Sequence, residues 1–335
     1  MSDSLQPQSD FDHLTPDEVL HQVEQALDVR CSNICRPLNS YINRVYEVIL
    51  DDGTAVIAKF YRPHRWSVEA LLEEHRFMAE LAAEEIPVVA PLHDKEGETL
   101  FALHESRFAL FPKKGGRICD EPSPDQWREL GRLVGRMHCV GAAETAEHRI
   151  WLGPEWSMRD HLETILSSGF LPREYHSAFE EAAEEVMERI DPLFDDTACI
   201  RVHGDLHHQN LLYRPGESFF LIDFDDLSMG PPVQDLWMLL PGRLADARHE
   251  VNLFLDGYEV FRSFDHGSLS LIEPLRAMRY LHFAAWCIRQ AADGGFARLA
   301  PDWGTPSYWR QETQELRKQL REIEDALGGG APPWG

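Results

Sequence analysis

The sequence has no Cys-x-x-Cys pair, no Gly-x-Gly-x-x-Gly motif, no apolar run long enough to cross a bilayer, and little positive charge. Each shortage closes off a class of function. The six cysteines, at 31, 35, 119, 139, 199 and 287, are scattered. Cys31-x₃-Cys35 has no second pair and no nearby histidine partner, so zinc is not expected, and buried free thiols in a reducing compartment are the simpler reading. Crossing a bilayer takes about 18 consecutive apolar residues, and the polar, acidic start Met1-Ser2-Asp3-Ser4 does not read as a signal peptide. A cytoplasmic protein with no membrane partner is therefore the expectation. Against 57 Asp and Glu stand 32 Lys and Arg, a formal net charge of −25. Nucleic acid is not expected as a partner, since its phosphates would be repelled. The same shortage constrains any phosphate-bearing ligand, which would need local cations, a metal ion or aimed backbone N–H groups.

What is present is a large core. The 335 residues are 43% hydrophobic, with nine Trp and seventeen Phe, which is compatible with about two domains. Thr15-Pro16-Asp17-Glu18 carries a helix start, running to Leu27. Arg44–Leu50 and Thr54–Tyr61 flank Asp51-Asp52-Gly53 as a hairpin. Ser67 can cap a helix running to Glu84, and Pro87–Pro91, Thr99–His104 and Arg107–Phe111 read as three short strands. Pro112-Lys-Lys-Gly-Gly116 then breaks the pattern. Helical periodicity dominates afterwards, at Trp127, Leu130, Val134, Met137 and His138, over Phe179–Ile190, and over Arg317–Leu327, before a tail, 328–335, expected to fray. A β-rich island interrupts at Cys199–Phe224. The expected fold is α+β: a β-rich lobe over residues 1–111, a hinge at 112–116, a larger helical lobe over 117–335, and a ligand cleft between the lobes.

The island carries the chemistry. It reads His203-Gly-Asp205-Leu-His207-His208-Gln-Asn210, and after a Pro215-Gly216 turn comes Phe219-Phe-Leu-Ile-Asp223-Phe-Asp225-Asp226. A strand delivers Asp205 to a loop, Asn210 closes the loop, and the returning strand ends on Asp223. This order suits phosphoryl transfer, where catalysis is mostly positioning and neutralisation of charge. Asp205 would orient an acceptor hydroxyl and take its proton. Asn210 and Asp223 would hold Mg²⁺ against the phosphates, supplying positive charge that the chain otherwise lacks. On the second hairpin strand, Ala55, Ile57, Lys59 and Tyr61 share one face, and a lysine among apolar neighbours needs an anionic partner. In the next helix Glu74 shares a stripe with Phe77, Met78 and Leu81, whereas Glu73 aligns with Glu80 and Glu84. Glu74 is therefore the expected partner of Lys59.

His203-Gly-Asp205-x₄-Asn210 followed by Ile-Asp223-Phe resembles the catalytic and metal-binding segments of the aminoglycoside phosphotransferase and choline kinase superfamily. That superfamily is similar to the protein kinases. The resemblance implies a two-lobed protein-kinase-like fold and the use of ATP and Mg²⁺. It places Lys59 on the ATP phosphates and His207 near the transferred phosphate. His203 would brace the loop, and Asp235 would anchor the helix that follows. The phosphate loop, Leu38–Arg44, contains no glycine, so backbone N–H groups and the Ser40 hydroxyl would have to meet the phosphates. Phe111 and its neighbours take the place where backbone groups read an adenine edge.

Leu38–Glu47, Ala58–Trp66 and Leu72–Phe77 are similar to the bacterial stress response kinase A family. This implies transfer to Ser or Thr hydroxyls of proteins, the enzyme itself included. A small-molecule kinase acting on an amino alcohol, sugar or aminoglycoside hydroxyl is the alternative. A non-catalytic ATP-binding regulator is a third reading, disfavoured by the intact Asp205, Asn210, Asp223 and Lys59. A monomer is expected. The net charge favours acceptors with basic residues, because complementary charge speeds encounter.

Overall fold

The computed structural model describes residues 11, 13–40, 42–291 and 302–328; the tail from residue 329 onward lies outside them. Thr15 caps the first helix, α1 (Pro16–Leu27), by accepting from the Glu18 N–H at 3.2 Å. The strands that follow are β1 (Cys31–Leu38), β2 (Arg44–Leu50) and β3 (Ala55–Tyr61). The β2–β3 turn closes where Gly53 takes a φ of 84°, and Asp52 accepts from the backbone N–H and hydroxyl of Thr54. Ser67 caps α2 (Val68–Ala83) through the Ala70 N–H. Strands β4 (Phe101–Leu103) and β5 (Ser106–Pro112) complete one antiparallel sheet in the order β1-β2-β3-β5-β4.

The period of two sorts the faces of β3. Val56, Ala58 and Phe60 pack with Val19 and Val23 of α1. On the other face, Tyr61 packs with Leu71 of α2 and Ala109 of β5, and Lys59 points the same way. Phe77, Met78 and Leu81 of α2 belong to the large core beneath. Pro87–Pro91 is not a strand. It touches β8 (Phe219–Leu221) through one parallel bridge at Val88. Its two prolines supply no N–H to a ladder, which accounts for the shortfall. Thr99–His104 pairs only over β4.

The rest is helical: α3 (Pro124–Gly141), α4 (Arg159–Ser167), α5 (Arg173–Ile190), α6 (Gln234–Trp237), α7 (Arg248–Tyr258), α8 (Ile272–Gln290) and α9 (Pro306–Gly328). Set among them are β6 (Ile200–Val202) paired with β9 (Ser228–Gly230), and β7 (Leu211–Tyr213) paired with β8. All six cysteines are unpaired, but only Cys287 is buried; half-burial of Cys31, Cys35, Cys119 and Cys199 departs from the expected buried thiols. No described helix is long and apolar enough to cross a membrane.

α3 and α7 approach so closely that glycine is required. A Cβ on Gly131 would stand 1.9 Å from Phe254 O and 2.8 Å from Tyr258 N, and both obstacles are backbone. Gly131→Ala must therefore push α7 away from α3. The expected cost is about 1–3 kcal/mol of stability, read as a lower urea midpoint with unchanged slope. An unaltered midpoint would show that the two helices do not pack this closely.

Candidate active site

The site is a cleft of about 700 Å³ lined by the 38–45 segment, β3, the end of β5, the Asp205–Asn210 loop, residues 222–226 and α8. Asp205, His207, Asn210, Asp223, Lys59, Glu74, Ser40 and Phe111 all line it. Residues as far apart as 40 and 223 thus meet in one space.

The loop that carries Asp205 hangs from a buried knot. Asp235, fully buried at the start of α6, accepts from the N–H groups of His203 (2.8 Å) and Gly204 (3.0 Å). Its Oδ2 also lies 3.0 Å from His138 Nε2, and His138 Nδ1 reaches the Tyr258 hydroxyl at 2.9 Å. Asp235 therefore holds the Asp205 loop as well as its own helix. His203 Nε2 bonds Ile222 O at 2.9 Å, so its ring ties the loop to the strand leading to Asp223. Gly204 has a φ of 84°, and a Cβ there would lie 2.0 Å from Asp226 O. Only glycine fits between His203 and Asp205.

Asp223 itself adopts a φ of 59°. A left-handed aspartate costs local energy and persists only where its surroundings enforce it. Its side chain is half exposed to the cleft, and Oδ1 accepts from Lys59 Nζ at 2.7 Å. Lys59 is only 9% exposed, 4.0 Å from Glu74 Oε1 and 3.5 Å from Asp225 Oδ1. Burial works against the Lys59 charge, but Asp223 and then Glu74 outweigh it and hold the lysine above its ordinary pKa. Burial likewise works against ionised Asp223, and Lys59 outweighs it, leaving the carboxyl below its usual range.

The structure puts Glu74, not Glu73, beside Lys59. Glu73 accepts instead from the backbone N–H groups of Glu147 and His148. Glu74 has a closer partner than Lys59: Arg149 Nη2, at 2.8 Å, in a pair almost wholly buried. Arg149 also donates to Ala70 O (2.9 Å) and Asp225 O (2.8 Å), and its guanidinium lies 4.4 Å from the Trp66 ring centroid. Arg65 reaches both Asp225 and Asp226. Arg149 carries no local sequence signal, because its partners lie 75 or more positions away. Asp225 and Asp226 did carry one, as like charges crowded directly after Asp223 that need cations nearby.

The glycine-free phosphate loop is shaped by side chains. Asn43 accepts from Arg62 N–H (3.1 Å) and donates to Asp225 Oδ2 (3.3 Å), and Arg62 Nε donates to Ile42 O (2.9 Å). Ser40 sits on the cleft with no hydrogen bond from its hydroxyl among the described residues. Phe111 pairs with Ile57 in the sheet. Pro112, next along, has no N–H to offer a base, and the Lys113 N–H is bonded to Ala55 O at 3.1 Å.

Two oxygens fit a hard divalent cation, which takes oxygen ligands. Asn210 donates Nδ2 to Asp205 O at 2.9 Å, and this fixes the amide and leaves Oδ1 without a protein donor among the described residues. Asp223 gives Oδ1 to Lys59, leaving Oδ2. Among the described residues no three His, Cys, Asp or Glu side chains form a metal cage, so phosphate oxygens and water would have to complete the shell. Asp205 Oδ2 lies 3.4 Å from His207 Nε2, and Arg279 Nη2 from α8 stands 2.9 Å from Asp205 Oδ1.

Three histidines near these groups are kept neutral by burial. His75, bonded to the Tyr61 and Thr99 hydroxyls, is pushed down to about 4. His161 falls to about 4, and His282, edge-on to it at 5.0 Å, to about 3. Each folded-state value lies below the ordinary 6.5, so the unfolded chain binds protons first as pH falls. Their contribution to stability is complete above pH 6.5 and is lost on acidification toward pH 4. Each should add about 1.4 kcal/mol per pH unit to the slope. Urea unfolding between pH 7 and 5 should show a steep loss of stability, and His161→Gln should flatten it by about one proton's worth. A profile that is level over that range would contradict the buried neutral histidines.

Comparison with known proteins agrees with this geometry. Residues 34–272 match the phosphotransferase enzyme family, APH. Stress response kinase A of Escherichia coli (strain K12) is 35% identical over 316 residues, covering 94% of this chain and 95% of that protein. Serine/threonine protein kinase RdoA of Salmonella typhimurium is 37% identical over 290 residues, covering 86% and 88%. The solved structure of amicoumacin kinase hAmiN, in complex with AMP-PNP, Ca²⁺ and Ami, superposes with a TM-score of 0.73 at 21% identity, covering 95% of this chain and 94% of that one. The shared architecture is the two-lobed protein-kinase-like fold. With a family match over most of its length and relatives aligned almost end to end, the chain belongs to the phosphotransferase enzyme family, in its stress response kinase A branch.

Proposed function

We propose that this protein is a Ser/Thr protein kinase of a bacterial stress response, transferring the γ-phosphate of ATP to protein hydroxyls with Mg²⁺. The observation that carries the reading is the convergence of Asp205, Asn210, Asp223 and Lys59 on one cleft, in a chain whose long-range relatives are named as kinases. Residues 1–111 and 117–335 act as the two lobes, with 112–116 as the hinge between them. The protein works in the cytoplasm.

Asp205 orients the acceptor hydroxyl and takes its proton. Asn210 Oδ1 and Asp223 Oδ2 would hold Mg²⁺, which when bound neutralises charge on the phosphates. Lys59 meets the phosphate oxygens from the sheet side, and Glu74 stays behind it to keep it charged and aimed. Glu74 can do this because Arg149 balances its second oxygen. His207, next to Asp205, faces the transferred group. Ser40 and the N–H groups around it cover the phosphates, and backbone of the segment at Phe111 and its neighbours meets the base.

Asp223→Asn keeps the shape but removes the anion that both Lys59 and the metal require. Transfer should be abolished at saturating Mg²⁺ while thermal unfolding stays cooperative; near-normal turnover would refute the assignment. Asp205→Asn should retain ATP binding and lose about 10²–10⁴-fold in transfer. A loss below about tenfold, with chemistry rate-limiting, would remove Asp205 from the role of base.

The acceptor is tested with γ-labelled ATP, a protein mixture, and a panel of amino alcohols, sugars and aminoglycosides. Phosphoserine or phosphothreonine that disappears with Asp205→Asn is the expected result. Efficient transfer to one small molecule, with none to protein, would replace the protein-kinase reading.

A further inference from the structure

The wall of the cleft opposite the sheet is one face of α8. Arg279, His282, Phe283 and Trp286 line it at helical spacing i, i+3, i+4 and i+7. Two features of this wall are unused by the phosphate chemistry. The first is Arg279. Its side chain is one-third exposed, and Nη2 stands 2.9 Å from Asp205 Oδ1. The pair has the distance of an ion pair without the direction of a hydrogen bond, since Oδ1 is buried and has no hydrogen-bond partner among the described residues. The second is an aromatic step. Phe283 is half exposed, and its ring stacks on Trp286 with centroids 5.6 Å apart and planes 16° apart.

The charges on this side are unequal. Of the other cleft carboxylates, Asp223 is held by Lys59 and Asp226, close to Arg279 and His282, is engaged by Arg65 at 2.6 Å. His282 is half-buried, and desolvation keeps its imidazole neutral. None of the four wall residues is acidic. An acceptor approaching Asp205 therefore meets a guanidinium first and an apolar aromatic surface beside it.

We propose that α8 is the acceptor-recognition wall, and that Arg279 selects peptides carrying an acidic residue beside the Ser or Thr, with an apolar side chain seated on Phe283 and Trp286. This rests on the protein-kinase reading above. Asp205 must offer a carboxylate oxygen to the acceptor hydroxyl, and Arg279 competes for that oxygen. An acceptor carboxylate gives the planar guanidinium a two-pronged, charge-assisted partner. It draws Arg279 off Oδ1 and frees the base as the hydroxyl arrives. A lysine or arginine in the same place would face Arg279 at contact distance and leave it on Asp205. The net charge of −25 pulls in the other direction, toward basic acceptors. That field acts on the encounter rate and is screened within about 8 Å at physiological salt. Discrimination is set by the group in contact, and repulsion at contact is an effective device for it.

The test uses the full chain, ATP, Mg²⁺ and two serine peptides that differ only in glutamate or lysine beside the serine. The wild-type protein should favour the acidic peptide by at least about tenfold in kcat/KM. Arg279→Gln should reduce that ratio to within about threefold, Arg279→Lys should keep the preference for the acidic peptide but weaken it, and Arg279→Glu should invert it. The ratio does not depend on how much of each variant is folded. Phe283→Ala should raise KM for both peptides and leave the ratio alone. A wild-type preference for the basic peptide, or a ratio that Arg279→Gln does not move, overturns the proposal while leaving the protein-kinase reading intact. Transfer to small hydroxyl compounds with none to any peptide or protein overturns both.

Discussion

Lys59 keeps its charge inside the protein because Asp223, at 2.7 Å, and Glu74, at 4.0 Å, hold it there. Glu74, almost wholly buried, could not stand there with Lys59 alone, so the requirement passes outward. Glu74 is balanced by Arg149, Arg149 is bonded to Asp225 O, and the Asp225 carboxylate is met by Arg65. The chain of alternating charge joins β3, α2, the segment before α4 and the turn after β8. Breaking a buried pair leaves an uncompensated charge, at a cost of about 3–5 kcal/mol, so these elements are held in one relation to each other. This is how a chain of net charge −25 meets the condition that its composition sets. Lys59, Arg149 and Arg65 are committed inward, at the place where phosphates would come.

The second constraint is backbone. Asp205 and Asp223 sit on segments that ordinary side-chain sterics would not choose. Gly204 and Asp223 both have positive φ, at 84° and 59°. Asp235 and His203 offset that cost. The first accepts two consecutive N–H groups of the Asp205 loop, and the second bonds Ile222 O, one residue before Asp223. Two segments at opposite ends of the β7–β8 hairpin are thereby fixed to the same buried pair. The strain and the charge network meet at Asp223, whose carboxylate belongs to both.

How much of this was legible in the sequence depends on the range of the interaction. Thr15 and Ser67 cap helices within three residues, and Gly53 turns a hairpin, so these elements could be read from local chemistry. The order His203-Gly-Asp205, Asn210, Asp223 was legible because a strand, a tight loop and a hairpin leave little freedom between them. The choice of Glu74 over Glu73 followed from helical phase alone. Pro87–Pro91 misled because its apolar residues look β-like, while its prolines withhold the N–H groups that a strand needs. Arg149 and Arg279 were not legible at all. Each is one arginine on a helical or irregular stretch, and what distinguishes it is a carboxylate more than 70 positions away.

That same separation bears on what the fold can decide. The residues proposed to handle phosphate lie on β3, on α2 and around the hairpin of β7 and β8. The wall facing Asp205 lies on α8, about fifty positions further along the chain, and meets them only through side chains such as Arg279. Its four cleft-lining residues occupy a helix face whose backbone bonds are internal, so they can change without disturbing the catalytic loop or the charge network. A likeness in overall shape to amicoumacin kinase hAmiN at 21% identity therefore extends to the scaffold and stops short of the acceptor. The acceptor must be argued from the wall itself, where Arg279 in contact with the proposed base would make the approach to Asp205 depend on what charge accompanies the hydroxyl.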